Sequence, residues 1–266
     1  MKNRILSAIV MLSIFVPILL IGGKPFSILM TLLAVIGLHE LIRVRETKKE
    51  FPRLIKIAAY IMVIFFAFSN FDSIEFINTV DFRIMSLIIF IFLAPMVLLN
   101  DTKRYNLNDA LFIIGSLLFI GLSFNLIIIT RNFDIHYIIY LFIITVITDT
   151  FAYITGSLIG RHKLAKDISP KKSIEGLIGG SIAGTLAAVV FFITVINPGI
   201  SLVIIILITA FLTLVGQLGD LIFSSIKRYY KKKDFSELIP GHGGILDRFD
   251  SLIFVVLGFI LFIGIL

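Results

Sequence analysis

Apolar and polar residues are segregated along this chain. Long apolar runs alternate with short polar segments, and few charges fall inside the runs. Runs of roughly 15–24 residues are the length of a membrane-crossing helix. The pattern predicts nine spans, at residues 5–21, 26–42, 54–70, 84–99, 108–129, 135–158, 177–196, 200–223 and 251–266. The expected fold class is therefore an all-α, polytopic integral membrane protein. The third run contains Lys56, whose ammonium must reach an interface along its own stem. The last run covers only about 24 Å as a helix, so its helix can begin in the loop before it. Met1-Lys-Asn-Arg followed by an apolar run resembles a signal peptide. The run is longer than the usual h-region of about 7–15 residues and no Ala-x-Ala site follows it, so it is read as a retained first span.

Composition agrees with this reading. Of 266 residues 58% are hydrophobic, and the mean hydropathy is +1.06. The longest polar segment, residues 224–250, has 27 residues, which leaves no room for a large soluble core. The absence of cysteine excludes disulfides, thiolate metal sites and cysteine nucleophiles. The net charge of +7 is read as a topological signal, not as a nucleic-acid surface. With nine spans and the N-terminus inside, 21 of the 24 Lys and Arg residues fall on inner segments, and only Lys24, Arg83 and Arg131 fall outside. That asymmetry predicts an N-in, C-out protein of the cell membrane. The loops at 43–53, 159–176 and 224–250 are then cytoplasmic, and Asn197-Pro-Gly199 is a tight outer turn. Residues 1–133 are expected to form an N-terminal transmembrane region of about five spans, and residues 134–266 a catalytic region.

Ionisable residues within spans are functional candidates. Four stand out here: His39, Glu40, Asp149 and Asp220. By span position Glu40, Asp149 and Asp220 lie toward the inner side, although Glu40 is equally readable as an interfacial partner of Arg43 at i,i+3. Asp149, Tyr153, Gly156 and Gly160 follow i, i+4, i+7, i+11 and share one helix face. Close helix packing accounts equally well for the two glycines. Ser169-Pro-Lys-Lys-Ser-Ile-Glu-Gly176 stands directly before a span. Its Ser169, Ser173, Lys171, Lys172 and the free amides of a helix start suit a polyphosphate, while anionic lipid is the alternative.

The segment 224–250 is the most polar of all. It carries six cations, His242 and three glycines together with Asp234, Glu237, Asp247 and Asp250. Asp220, Ser224 and Lys227 form one helical face leading into it. Asp247 and Asp250 are i,i+3 and share a face if the last helix starts there. Carboxylates converging without His or Cys partners favour a hard cation such as Mg²⁺. Gly241, Gly243 and Gly244 allow backbone angles that present amides to an anion.

These segments resemble the phosphatidate cytidylyltransferase (CDP-diacylglycerol synthase) family. That family's long signature is matched by Ser224-Ser-Ile-Lys227-Arg228, Lys233-Asp-Phe-Ser236 and Ile239-Pro-Gly-His242-Gly243-Gly244-Ile-Leu-Asp247-Arg248-Phe-Asp250. A second block is matched by Asp149–Gly156 and Ser169–Gly176. The resemblance implies a Mg²⁺-dependent reaction of CTP with phosphatidate, giving CDP-diacylglycerol and pyrophosphate, and a homodimer. It implies Asp220 and Asp247 as metal ligands, with Asp250 close by. One or two divalent ions, or a monovalent ion, are left open. Lys227, Arg228, His242 and Arg248 would surround the developing charge. Asp149, Tyr153, Ser169, Lys171, Lys172, Ser173, Glu175, Gly243 and Gly244 would line the nucleotide or lipid headgroup. A CTP-dependent enzyme of the CDP-archaeol synthase type shares this chemistry. An ion-coupled transporter fits less well, because transporter sites lie near the midplane between repeats and the chain has no internal repeat.

Overall fold

The computed structural model describes residues 2–69, 82–99, 101–196 and 199–265, with the backbone alone for residues 2–5. Nine α-helices are present among them: α1 Lys2–Ile21, α2 Gly23–Glu46, α3 Arg53–Phe68, α4 Phe82–Leu98, α5 Leu107–Phe133, α6 Ile135–Ile159, α7 Ile174–Phe191, α8 Leu202–Tyr229 and α9 Leu246–Phe259. Each predicted run overlaps one of these helices. A π-helical turn, Phe192–Ile196, continues α7, and a 3₁₀ turn, Ile260–Phe262, continues α9. Asn197 and Pro198 of the expected outer turn lie outside the described residues.

By length and composition five of these helical segments can cross a membrane: α2, α5, α6, α7 with its π turn, and α8. Leu6–Ile21 and α4 are shorter apolar helices. The protein is a helical membrane protein. The all-α architecture carries one small antiparallel hairpin, in which Lys163–Ala165 (β1) pairs with Ser169–Ser173 (β2). Periodicity gave no sign of these strands, since they are three and five residues long and lack an apolar face.

The chain divides into two compact units, Met1–Phe133 with Asp234–Leu246, and Asp134–Lys233 with Asp247–Leu266. In the first unit α2, α3 and α5 bury Met30, Ala34, Leu38, Val63, Phe66, Ile113, Ile120 and Phe124. Helix ends are closed by side chains, as buried backbone groups require. Asn125 of α5 donates to the carbonyls of Phe66 and Ala67, each at 3.1 Å, at the end of α3. Arg131 donates to the carbonyls of Leu19 and Leu20 at the end of α1, each at 2.8 Å. Asn106 and Asp109 cap α5 reciprocally, each accepting from the other's backbone N–H at 3.1 Å. Asp109 also pairs with Arg45 (2.8 Å) and Lys49. Lys56, expected to reach an interface unaided, is held 2.8 Å from Glu46.

In the second unit α6 and α7 approach closely along a glycine face. Gly176, Gly180 and Gly184 of α7 are buried at i, i+4, i+8. A Cβ built on Gly180 would stand 2.6 Å from the Thr148 carbonyl oxygen, and one on Gly176 would stand 2.7 Å from that of Ala152. Gly156 of α6 faces Ser173 and Gly176. Helix packing therefore accounts for Gly156. At the other end of this unit Tyr137, Tyr140, Phe192 and Phe259 form an aromatic cluster. The Tyr140 hydroxyl sits 2.8 Å from that of Thr209.

Candidate active site

The second unit gathers acids and cations from four elements. β2 supplies Lys172. Lys171 is exposed, whereas Ser173 at the end of the strand is buried and caps α7 by accepting from the Gly176 N–H at 3.1 Å. The hairpin turn is fixed to α8 by Arg228, whose Nε donates to the Ile168 carbonyl at 3.2 Å. A second guanidinium nitrogen of Arg228 donates to the Lys232 carbonyl at 2.9 Å.

Lys172 Nζ lies 2.7 Å from Asp220 Oδ2, and Ser224, one turn along α8, donates to Asp220 Oδ1 at 3.3 Å. The predicted face of α8 continues to Lys227, whose Nζ lies 2.6 Å from Asp247 Oδ1 in the first turn of α9. Lys227 and Asp247 are each only 7% exposed. A pair so buried is retained when each partner satisfies the other's charge. Ser251 of α9 donates to Asp149 Oδ2 on α6 at 3.3 Å. Asp149 is within electrostatic reach of Asp220, Lys172 and Arg248. Asp250 is within reach of Asp220, Asp149 and Lys227. Four carboxylates and three cations thus share one neighbourhood.

Other expected site residues stand elsewhere. Tyr153 is 77% exposed on α6. Ser169 is half-buried at the start of β2. Glu175 accepts from the backbone N–H groups of Arg161 (3.1 Å) and His162 (3.2 Å), and sits 2.6 Å from His162 Nδ1. Its carboxylate therefore fixes the chain entering β1.

His242, Gly243 and Gly244 belong to the first unit. His242 Nδ1 lies 2.8 Å from Ser7 Oγ on α1. Gly241 and Gly243 take φ of +77° and +82°, values that suit glycine, and the Gly243 carbonyl accepts from the Ile239 N–H at 2.9 Å. Glu40 organises the end of this loop. It is 1% exposed and accepts from Ser236 Oγ (2.6 Å) and from the backbone N–H groups of Ile245 and Leu246 (2.9 Å each). A carboxylate on the first amides of α9 is the favourable sign for a helix start. The expected alternative partner, Arg43, is exposed. Ser251 and Ser7 carried no sequence signal, and Ser236 stood in the signature without an assigned role. Gln217, a lone amide in the apolar part of α8, was also missed. It donates to the Leu177 carbonyl (3.2 Å) and Ser181 Oγ (2.8 Å) of α7.

Among the described residues no three His, Asp or Glu side chains stand as a ready metal cage. The donor chemistry nonetheless fits a hard cation: Asp149, Asp220, Asp247 and Asp250 offer oxygen alone, with no imidazole or thiolate among them.

The cytidylyltransferase family model matches residues 2–266. The chain belongs to the cytidylyltransferase family. It is 38% identical over 257 residues to a phosphatidate cytidylyltransferase of Staphylococcus haemolyticus, covering 96% of each chain. An enzyme of the same name from Staphylococcus epidermidis is 39% identical over 257 residues, and one from Staphylococcus aureus 38% over 259, again with 96% of each chain covered. As a member of this family the protein is a nucleotidyltransferase.

Proposed function

We propose that this protein is a CTP:phosphatidate cytidylyltransferase of the cell membrane, with nine crossings, the N-terminus inside and the charged loops in the cytoplasm. The observation that carries the chemistry is the pairing of Lys172 with Asp220 and of Lys227 with Asp247 beside Asp149 and Asp250. A phosphatidate phosphate oxygen is already anionic at neutral pH, so the attack needs no general base. Repulsion between that anion and the triphosphate is the barrier, and fixed positive charge lowers it. The lipid oxygen forms a bond to the α-phosphorus of CTP, and the bond from that phosphorus to the bridging oxygen breaks. The products are CDP-diacylglycerol and pyrophosphate.

Lys172, Lys227 and Arg248 are assigned to the phosphates. Asp220 and Asp247 are assigned to Mg²⁺, with Asp250 and Asp149 beside them. Mg²⁺ bound there supplies charge neutralisation and alignment of the phosphates. Ser173 and Arg228 hold the hairpin that presents Lys172, and Glu175 holds its entry strand. His242 and Gly243 are assigned to the reaction by their place in the family signature.

Purified protein supplied with labelled CTP, Mg²⁺ and phosphatidate should yield labelled CDP-diacylglycerol and pyrophosphate. Product from an archaeal ether lipid but none from phosphatidate would replace the substrate. Asp247→Asn should abolish turnover and, because it leaves the Lys227 ammonium buried without its partner carboxylate, lower the unfolding temperature; full turnover in that variant would remove the metal assignment.

A further inference from the structure

Within the first unit, the start of α3 and the end of α4 enclose a groove of about 490 Å³. Its walls are apolar, built from residues such as Leu54, Ile55, Pro95 and Leu98, and its charged members are Arg53 and Arg104. Both arginines are exposed.

Three nearby cations are neutralised locally. Arg45 and Lys49 share Asp109, and Lys56 pairs with Glu46. The carboxylate of Asp101, close to Arg104 in sequence, accepts from the backbone N–H groups of Lys103 and Arg104. No side-chain hydrogen bond or ion pair among the described residues engages either the Arg53 or the Arg104 guanidinium. Two guanidiniums over an apolar trough complement a molecule with an anionic head and hydrocarbon tails. Guanidinium suits phosphate because its planar fork of donors matches two phosphate oxygens. The groove contains no carboxylate, hydroxyl or histidine that could take part in group transfer.

We infer that this groove is a binding site for an intact anionic diacyl phospholipid of the bilayer, one with a phosphodiester headgroup. The headgroup phosphate lies between Arg53 and Arg104, and an acyl chain lies along Leu54, Ile55 and Leu98. It is a site of lipid binding and not of turnover. It does not depend on the reaction assigned above.

The test uses the full chain, purified and delipidated in detergent, with phosphatidylglycerol and phosphatidylcholine as probes and native mass spectrometry as the readout. The wild type should retain phosphatidylglycerol in preference to phosphatidylcholine. Arg53→Gln combined with Arg104→Gln should weaken phosphatidylglycerol binding about 30-fold, at about 1 kcal/mol per cation lost. Leu54→Trp, which fills the trough and keeps both charges, should also reduce retention. Equal retention of the two lipids by the wild type, or unchanged phosphatidylglycerol binding in the double variant, would overturn the assignment. A rise in the KM for phosphatidate in the double variant, with phosphatidate displacing phosphatidylglycerol one for one, would make the groove a substrate site and overturn it equally.

Discussion

Replacing Glu40 by glutamine changes one atom of a buried side chain and removes a charge. Oε1 of Glu40 accepts from Ser236 Oγ and from the Ile245 N–H, and Oε2 accepts from the Leu246 N–H. A glutamine can keep its carbonyl oxygen on the first two donors. Its NH₂ group then faces the Leu246 N–H, donor against donor, at a position 1% exposed to solvent. Turning the amide over leaves the Ile245 N–H unmatched instead, since the Ser236 hydroxyl can then accept from the NH₂ group. The hydrogen bond lost is charge-assisted, worth about 1.5–3 kcal/mol, and an amide left unsatisfied adds to that cost. The two bonds that survive become neutral and weaken. The expected local cost is about 3 kcal/mol. The carboxylate occupies the space beside Gly244 that a side chain would take, since a Cβ built there would lie 2.6 Å from the Glu40 carboxyl carbon. Hydrogen exchange of the segment containing residues 236–246 is the local readout, and a 3 kcal/mol loss accelerates it about 100-fold where exchange follows opening. Detergent thermal unfolding of Glu40→Gln should fall alongside. Wild-type protection of Ile245 and Leu246 in this variant would refute the claim that the carboxylate holds the loop.

Lys227→Met leaves Asp247 buried without its counter-charge, so it should cost about 3–5 kcal/mol in thermal unfolding and abolish CTP turnover. Adding Asp247→Asn should recover much of the stability and none of the activity. Gly180→Val pushes side-chain carbon against the Thr148 carbonyl and Ala152; it should destabilise by about 1–3 kcal/mol, whereas Leu186→Val on the exposed side of α7 should leave the melting temperature within a degree or two. Chelation of divalent ions should stop turnover with wild-type protein and added Mg²⁺ should restore it, without loss of helical circular dichroism; persistence of turnover in excess chelator would exclude Mg²⁺ as the cofactor.

The helices were legible because bilayer-length apolar runs have few other uses, and the two strands were not, because a short charged hairpin has no periodic pattern to read. The acids and lysines of the site were legible one by one. Asp220, Ser224 and Lys227 could be placed on one face because the spacing lies within a single helix. Lys172 with Asp220, and Lys227 with Asp247, could not be paired in advance. These pairs join different elements, so neither follows from local periodicity. Glycine carried two messages that spacing could not separate. Gly180 serves helix contact, while Gly241 and Gly243 serve backbone angles that other residues seldom adopt.

Glu40 shows where local sequence reasoning stops. A carboxylate within an apolar run signals that a partner exists, because leaving it unpaired is too costly. The nearest cation in sequence, Arg43, is the obvious candidate, and an i,i+3 ion pair would have satisfied local rules. The partners it actually takes are a hydroxyl and two backbone amides 196, 205 and 206 residues away. Backbone amides at a helix start are indifferent to side-chain identity, so no residue type at 245 or 246 could advertise them. Only Gly244 left a trace, since the carboxylate lies where a Cβ would stand. A buried acid and a distant buried glycine are therefore the sequence record of this contact, and substituting either, Glu40→Gln or Gly244→Ala, should raise exchange at Ile245 and Leu246 alike.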